Sequence, residues 1–249
     1  MQKWTVRAVW SVGCWLAMWP GMRAIAQEHR PPEKIVFDYI VTQTQTDTET
    51  GNTTYSNYYF TKDGKYAAIS GQSDISLVIY EKDQPSWIVD DHRHTITAYT
   101  LPTMMGGFAG IAGAGGAGGR HKISLRPSGQ TKKICGLPAV GYVAGDQGGQ
   151  TVNFWYVQLN FDPGLIYKMG MGSYMGKKME GRQLPGNDNS PLAVVLKNKN
   201  YFLAEVSDGS KKAIETTKID KSNFVFISTG YKVKDMSYKS LGEMLKNAE

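Results

Sequence analysis

The chain is poor in the residues that build covalent or metal-based frameworks. Two of its 249 residues are cysteines and four are histidines. Cys14 lies in an N-terminal segment that we expect to be removed, which would leave Cys135 as the remaining thiol of an exported protein. An internal disulfide framework is therefore excluded, and stability must come from ordinary packing.

Motifs for nucleophilic catalysis are missing as well. The chain has no G-x-S-x-G sequence, and Cys135 stands in the sequence ICGLP without an adjacent histidine to activate it. We interpret Cys135 as a small buried residue. Nothing selects a pair of carboxylates for sugar hydrolysis. We predict a protein that is not an enzyme, with no catalytic residues and no cofactor.

The best metal candidate is the cluster Asp90, Asp91, His92 and His94. On a strand, the two imidazoles would project from the same face, and a carboxylate could supply a third ligand. A metal site needs further ligands, however, and the chain has two other histidines in all. We interpret the cluster as a hydrated hairpin corner and predict no metal site.

No apolar run is long enough to span a bilayer. The longest, Ala8 to Trp19, has about twelve residues, against the roughly 20 that a spanning helix needs. It follows the basic start MQKWTVR and precedes Ala24-Ile25-Ala26, which is the pattern of a secretory signal cleaved before Gln27. A membrane anchor or lipidation at Cys14 fits less well, because the apolar run is short and a leucine three residues before the cysteine is missing. We predict a signal peptide at residues 1–26 and a mature protein in the periplasm of a Gram-negative bacterium, without a transmembrane span.

The charge is too mild for a nucleic-acid-binding protein. The formal net charge is +6, and removal of Lys3, Arg7 and Arg23 with the signal lowers it by three, to +3. The remaining basic residues are dispersed, so we predict no nucleic-acid partner.

The residues that are abundant favour β structure. The chain has 28 glycines and 14 tyrosines, and the stretch Ile75 to Leu101 contains three short alternating apolar runs separated by polar turns, which predicts a three-stranded meander. Before it, Lys34 to Thr48 alternates as one long strand in which Ile35, Phe37, Tyr39 and Val41 share a face.

Turn residues and alternation predict further strands on both sides of this meander. Gly51-Asn52 and Asp63-Gly64 are hairpin signals. From Pro163 to Gly186 we expect a short irregular helical segment, because five glycines between Gly164 and Gly181 disfavour a regular helix. The other predicted strands are Tyr55–Thr61, Lys65–Ile69, His121–Leu125, Thr131–Ile134, Ala139–Ala144, Gln150–Leu159, Ser190–Leu196, Tyr201–Val206, Lys212–Ile219 and Phe224–Ser228, followed by a terminal helix at Ser237–Ala248.

A glycine-rich insert occupies residues 104–121. Gly113, Gly115 and Gly118 satisfy the letters of G-x-G-x-x-G, but no amphipathic helix follows them, so a dinucleotide site is rejected. The insert is predicted to be a flexible loop. Its apolar side chains could cover an apolar opening, and these lid candidates are Met104, Met105, Phe108 and Ile111.

Four passages of the chain carry a resemblance to a known superfamily: KIVFDYIVT, SLVIYEKDQPSWIVDDHRHTITAYT, TKKICGLPAVGYVAGDQGGQTVNFWYVQL and SNFVFISTGYKVKDM. In their order and spacing they resemble the periplasmic lipoprotein-carrier-like proteins of the LolA, LolB and LppX type, in particular a branch of exported domains of unknown function. The resemblance implies a mainly β (α+β) fold in which a strongly curved antiparallel sheet forms an unclosed half-barrel, with a few short helices on its concave side and room for an acyl chain.

The chain departs from that superfamily in two respects. Carriers place helices early and among the strands, whereas helical signal here is thin before Pro163, and the glycine-rich insert has no counterpart. Both departures argue against lipoprotein shuttling as such, and no carrier residue is specific enough to transfer. The domain expectation is a single half-barrel at residues 27–249 that contains the flexible insert.

Aromatic and aliphatic side chains on the predicted strands lead to the functional hypothesis. They could simply fill the core, because burying each is worth about 1.5–3 kcal/mol. Alternatively, one face of the sheet holds a cavity for a lipid, acyl chain or acylated ligand. The predicted ligand-binding residues are Phe37, Tyr39, Tyr58, Phe60, Leu77, Ile79, Trp87, Val89, Phe154 and Tyr156. The alternative function is an envelope scaffold with a packed core that binds a protein partner.

Overall fold

The computed structural model describes residues 30–47, 50–71, 77–82, 86–99, 125–145, 151–169, 191–209 and 211–235. Within these ranges the protein is mainly β, with two short helices, α1 (Gly164–Met169) and α2 (Pro191–Lys197). The strands are β1 (Lys34–Val36), β2 (Tyr39–Thr46), β3 (Thr53–Phe60), β4 (Tyr66–Ser70), β5 (Leu77–Glu81), β6 (Ser86–Asp90), β7 (Thr95–Tyr99), β8 (Leu125–Ile134), β9 (Leu137–Gly145), β10 (Thr151–Gln158), β11 (Tyr201–Asp208), β12 (Lys211–Lys221), β13 (Val225–Ile227) and β14 (Lys232–Asp235).

One large sheet is built from two antiparallel meanders. Strands β2 to β7 form the first meander and β8 to β12 the second, and antiparallel pairing of β2 with β12 joins them. Strand β14 adds to β7 in parallel. In the described chain, β8 and β14 are the two edges and do not pair with each other, so the sheet is not closed into a barrel. The predicted mainly antiparallel sheet and the meander β5-β6-β7 are therefore confirmed.

A second, two-stranded sheet pairs β1 with β13, with Ile35 opposite Phe226. The prediction of one strand from Lys34 to Thr48 is wrong at this point, because the strand ends at Val36 and a new one begins at Tyr39. At the break, Phe37 N–H donates to Phe224 O at 3.0 Å, whereas Asp38 N–H donates to Phe60 O at 2.9 Å. The backbone thus changes partner between these two residues, from the small sheet to the large one.

Alternation along the strands sends apolar side chains to both faces of the large sheet. Tyr58 and Phe60 of β3 belong to one buried cluster and Tyr59 packs against another. The first cluster also contains side chains from β9 to β12 and from both helices, including Leu165 and Val194. The second cluster lies between β3 to β7 and the small sheet, and its buried members are Ile35, Phe37, Tyr66, Ala68, Leu77, Ile79, Trp87, Val89, Ile96, Ala98 and Phe226.

Helix α2 corrects the strand predicted at Ser190–Leu196. The segment is an apolar run with two β-branched valines, and such a run is compatible with a buried helix as well as a strand. Pro191 stands at the first helical position, where its missing N–H does no harm. At the other end, the Asn198 side chain donates to Val194 O at 2.8 Å. Three successive buried residues, Ala193 to Val195, place the helix against the first cluster.

Turn and strand boundaries differ from the predictions at several places. Asp63-Gly64 does not form a two-residue hairpin, because β3 ends at Phe60 and β4 begins at Tyr66. The turn expected at residues 127–129 is instead a bulge inside the continuous strand β8. Strand β14 has no counterpart among the predicted strands. Of the predicted segment Pro163 to Gly186, the structure describes helix α1, and the terminal helix at 237–248 lies outside the described residues.

Cys135 is exposed, which contradicts its interpretation as a buried residue. It occupies the two-residue turn between β8 and β9 together with Gly136, where Ile134 and Leu137 pair directly. Partial desolvation of the thiol and the nearby charge of Glu215 nevertheless raise the pKa of Cys135. The thiolate fraction at neutral pH is therefore low.

Candidate ligand-binding cleft

The ten predicted ligand-binding residues are divided between the two faces of the sheet. Nine are buried and Tyr39 is half-buried. One group joins the second cluster and comprises Phe37, Leu77, Ile79, Trp87 and Val89. The other group joins or packs against the first cluster and comprises Tyr39, Tyr58, Phe60, Phe154 and Tyr156. The lid candidates Met104, Met105, Phe108 and Ile111, and the whole insert 104–121, lie outside the described residues.

On the helix-covered face, the predicted tyrosines Tyr58 and Tyr156 are buried and contact neighbouring residues. The Tyr156 hydroxyl donates to Pro191 O at 3.2 Å, and Tyr58 packs edge-on against Phe202 with ring centroids 5.7 Å apart. Burial raises the pKa of Tyr58 to about 12 and that of Tyr156 still further. These side chains form packed core between the sheet and the helices.

A cleft of about 310 Å³ lies on the opposite face, between strands β3 to β6 and the segment that contains β13. Its volume is at the lower end of the roughly 300–1,000 Å³ of small-molecule sites. We call it the β13 cleft. Its lining residues are Tyr59, Ser70, Leu77, Val89, Asp91, Phe224, Val225, Phe226, Ile227 and Tyr231.

Exposure increases from the floor of the β13 cleft to its rim. Leu77, Val89 and Phe226 are buried, whereas Val225 and Ile227 are exposed by 37% and 56%. The exposed pair follows from alternation in the three-residue strand β13, where Phe226 turns toward the second cluster and its neighbours turn away. The cleft therefore has a buried apolar floor and opens to solvent beside β13, and such a floor can contact an apolar group.

Aromatic rings form the walls of the cleft. The Tyr59 and Phe224 ring centroids are 4.7 Å apart, with planes tilted by 38°. The Phe37 ring contacts both, with its centroid 5.9 Å from that of Tyr59 and 5.6 Å from that of Phe224. Phe226 of the floor also contacts Tyr231, with ring centroids 6.1 Å apart. These tilted and stacked arrangements are favourable for aromatic pairs and keep the walls rigid.

Asp91 supplies the polar corner of the cleft. The Tyr231 hydroxyl donates to Asp91 Oδ1 at 2.5 Å, and the ring of His94 stands edge-on to Tyr231 at 5.8 Å. The hydrogen bond to the carboxylate, aided by desolvation, raises the pKa of Tyr231 to about 12. A neutral phenol therefore faces a carboxylate at physiological pH.

Residues 91–94 form a turn and not a strand, so His92 and His94 do not share a strand face as the metal hypothesis required. His94 has a φ of 47°, and Asp90 Oδ1 accepts the Arg93 N–H at 2.9 Å across the turn. Among the described residues, no three histidine, cysteine or carboxylate side chains gather as a metal site. The turn is held by hydrogen bonds within the chain.

Of the predicted ligand-binding residues, Leu77 and Val89 line the cleft, and sequence reasoning did not name its aromatic residues. Tyr59 alternates with Tyr58 and Phe60 in β3, so the pattern itself assigns it to the opposite face. Phe224 and Phe226 alternate in the same way in the passage NFVFIS. What the pattern lacks is the pairing of β13 with β1, which brings residues some 190 positions apart in the sequence against the same sheet face.

No protein-family model matches the chain, and no curated protein matches it either. Solved structures align with it weakly, and two of them are described next. One is PNGF-II, solved in space group C2, which is 10% identical to this chain with a TM-score of 0.41. The alignment covers 85% of this chain and 33% of PNGF-II, so the chain spans about a third of that protein. An uncharacterized conserved protein from Thermus thermophilus is 6% identical with a TM-score of 0.37 over 80% of this chain and 90% of that one. Similarity at this level assigns neither a family nor a function. In the described part of the chain, no helix combines the length and apolarity needed to cross a bilayer.

Proposed function

We propose that this chain is an exported, non-enzymatic protein that binds an apolar ligand, such as an acyl chain of a lipid, in the β13 cleft. The observation that carries the proposal is the cleft of about 310 Å³, which has a buried apolar floor of Leu77, Val89 and Phe226 and opens to solvent beside β13. Each methylene moved from water into such a space contributes about 0.8 kcal/mol. About eight methylenes would give roughly 6 kcal/mol, which corresponds to a Kd on the order of tens of micromolar.

Ligand content of the native protein tests this proposal. Protein purified from the envelope is extracted with organic solvent and analysed by mass spectrometry, and the apo protein is titrated with a fluorescent fatty-acid probe. We expect a stoichiometric apolar species and saturable probe binding. The absence of both would overturn the proposal.

A matched pair of substitutions locates the site. Ser70 lines the cleft, whereas Ser86 lies on the same sheet and does not. Ser70→Phe should fill the cleft and abolish probe binding, and Ser86→Phe should leave it unchanged. Equal probe binding by both variants would place the ligand elsewhere.

We further propose that the large sheet is the wall of an unclosed half-barrel with α1 and α2 on its concave side. The support is the open order of twelve strands and the packing of both helices into the first cluster. An experimental structure in which the sheet is flat would overturn this part.

Export is part of the proposal and rests on residues 1–26. The expected mature protein begins at Gln27, and its intact mass, measured on the periplasmic fraction, tests the cleavage site. A full-length mass in that fraction would contradict the signal peptide.

A second candidate function is that of a protein-interaction module, and the small sheet favours it. Val36 is 47% exposed and pairs directly with the exposed Val225. Val36 does not line the cleft, so Val36→Ser should weaken cross-linking to an envelope partner and leave probe binding intact. Tyr55→Ser, at an exposed position of β3, is the control that should change neither.

A further inference from the structure

Strand β13 pairs with β1 along one edge and leaves backbone groups on its other edge. Ser228 N–H donates to Glu33 O at 3.0 Å, next to the pair formed by Ile227 and Lys34. Antiparallel pairs alternate between hydrogen-bonded and non-hydrogen-bonded ones, so Ile227 belongs to a non-hydrogen-bonded pair. Its N–H and C=O therefore point away from β1, and by the same alternation so do those of Val225.

This outer edge of β13 is accessible and lies beside the cleft. Within the described ranges, β1 and β13 form a sheet of two strands, and no third strand pairs with β13. Val225 and Ile227 are exposed, and all three residues of β13 line the cleft. Unused backbone donors and acceptors thus stand next to a buried apolar floor.

The other strand edges of the described chain carry residues that oppose pairing with a further strand. Strand β8 contains Pro127, a bulge and two lysines, and β14 contains Lys232 and Lys234. Strand β1 begins with Lys34. Prolines, lysines and bulges protect an edge from association with another chain. Strand β13, with the sequence VFI, has none of these, so its edge is the one suited to receive a strand.

We propose that β13 binds an extended apolar peptide, which adds to its outer edge as a third antiparallel strand. Side chains alternate along such a peptide, so the residue opposite Phe226 points into the cleft toward Leu77 and Val89. Its two neighbours lie beside Val225 and Ile227 and form the main-chain hydrogen bonds. Backbone pairing for affinity and a pocket for one alternate side chain are the features by which proteins recognise an added strand.

This inference goes beyond the proposed function, because it assigns to the cleft a partner with a polypeptide main chain. An acyl chain can contact the apolar floor but cannot pair with the backbone groups of β13. Both ligands use the same floor, so we expect the peptide to displace the fatty-acid probe.

A panel of fluorescein-labelled seven-residue peptides tests the main-chain pairing by fluorescence anisotropy, with the protein produced from Gln27 onward. Each peptide has one apolar residue at its centre, a valine on either side, and serine and threonine at the ends. Methylation of either valine nitrogen should weaken binding at least tenfold, because antiparallel pairing directs those N–H groups to β13. Methylation of the central nitrogen should have little effect, and replacement of the central residue by serine should weaken binding about tenfold.

Two proline substitutions test the same edge from the side of the protein. Val225→Pro removes an N–H that pairing with β1 does not use, so it should weaken peptide binding at least tenfold and leave binding of the fatty-acid probe unchanged. Val36→Pro is the matched control, because Val36 lies opposite Val225 and its N–H points to the outer edge of β1. It should change neither. Circular dichroism checks that each variant is folded, and the methylated peptides decide with the wild-type protein if Val225→Pro is not.

The outcomes separate this inference from the proposed function. If no peptide of the panel binds while the fatty-acid probe does, the peptide site is overturned and the proposed function stands. If the peptides bind with the expected methylation pattern and the probe does not bind, the peptide site stands and the proposed function is overturned. Any other methylation pattern, or peptide binding that leaves a bound probe in place, would show that the inference is wrong.

Discussion

Among single residues, Tyr231 reports most directly on the state of the cleft. Its hydroxyl donates to Asp91 and its pKa is about 12, against an ordinary value near 10. Because the folded protein holds this proton more tightly, the hydrogen bond's stabilisation is complete below about pH 10 and is lost as the pH rises through about 12.

Tyr231→Phe should lower the free energy of unfolding by about 0.5–1 kcal/mol at neutral pH, since Asp91 is exposed and the bond is partly hydrated. The difference between wild type and variant should shrink from pH 10 to 12. Urea unfolding at several pH values measures it, and the tyrosinate difference spectrum of the two proteins gives the pKa. A difference that grows with pH would contradict the assignment.

A buried carboxylate on the second meander makes a different residue-level prediction. Glu205 is 7% exposed in its side chain, and its carboxylate lies 2.6 Å from Lys132 Nζ and 3.7 Å from Lys212 Nζ. Lys132 Nζ is also 4.3 Å from the centre of the Trp155 ring. The two lysines can reach water, but the carboxylate cannot.

Lys132→Met should therefore lower the free energy of unfolding by about 2–3 kcal/mol, and Glu205→Gln by about 1–2 kcal/mol. The first effect is larger because only Lys132→Met leaves a buried charge short of a partner. The control is Lys218→Met, whose partner Asp220 is exposed and 4.0 Å away, and it should have an effect near zero. Chemical denaturation of the three variants checks the order, and the reverse order would contradict the account.

At the level of elements, helix α1 is joined to the sheet at a β-bulge. The register of β10 with β11 shifts so that Trp155 pairs with Glu205 and Tyr156 with Leu203. Both backbone groups of Leu203 are then satisfied by side chains. Its N–H donates to the Tyr167 hydroxyl at 2.9 Å, and its carbonyl accepts from Gln43 Nε2 at 2.7 Å.

Tyr167→Phe should destabilise the protein by about 1–3 kcal/mol, because it leaves the buried N–H of Leu203 without that acceptor. The amide of Leu203 should also exchange faster with solvent, which hydrogen-exchange NMR measures. Tyr201→Phe is the control, since its ring stacks on Tyr156 at the half-buried start of β11 and serves no bulge amide. Equal protection of Leu203 in wild type and Tyr167→Phe would contradict this role.

The turn between β8 and β9 carries a conformational strain that can be relieved. Cys135 and Gly136 both have positive φ, at 49° and 81°. Two-residue hairpin turns with two positive φ values favour Asn-Gly, because asparagine tolerates this region and a residue such as cysteine does so at some cost.

Cys135→Asn should therefore raise the free energy of unfolding by a few tenths to about 1 kcal/mol, and Gly136→Ala should lower it by about 1 kcal/mol. Thermal unfolding tests whether Cys135→Asn stabilises the protein and Gly136→Ala destabilises it. Loss of the weak contact from Cys135 Sγ to Thr216 O, at 3.4 Å, works against the gain, so a destabilised Cys135→Asn would show that this contact outweighs the turn.

For the whole molecule, the decisive feature is that one sheet supports two cores. The first cluster contains Trp155 and the second contains Trp87. The other four of the six tryptophans lie within residues 1–26, so a protein produced from Gln27 onward, the proposed mature start, has one fluorescent reporter for each cluster. Because β3 and β4 contribute side chains to both clusters, we expect the clusters to unfold together.

The single-tryptophan proteins Trp87→Phe and Trp155→Phe should each give one urea transition, with the same midpoint as the circular dichroism signal of the same variant. Comparison within each variant removes the stability effect of the substitution itself. Separate fluorescence and dichroism midpoints would show that the two cores unfold independently.

Local patterns were sufficient for most strands and insufficient for several features, three of which show why. Alternation in β5 to β7 and in β11 and β12 predicted strands that the structure confirms. It failed at Phe37, where the backbone changes sheets, at Ala193 to Val195, where an apolar run suits a helix equally well, and at Cys135, whose exposure follows from its turn. In each case the deciding contact comes from another part of the chain or from the turn geometry.

The amino-acid order alone establishes that this protein is mainly antiparallel β and which side chains lie on opposite sides of each strand, because period-two alternation is a local property of the backbone. It does not establish what covers each side. Pairing of β1 with β13 and of β2 with β12 joins segments more than 160 residues apart, and such pairings depend on the packing of the whole chain. Alternation places Phe60 and Tyr59 on opposite faces, but those long-range contacts decide that helices cover Phe60 and that Tyr59 and Leu77 line the cleft.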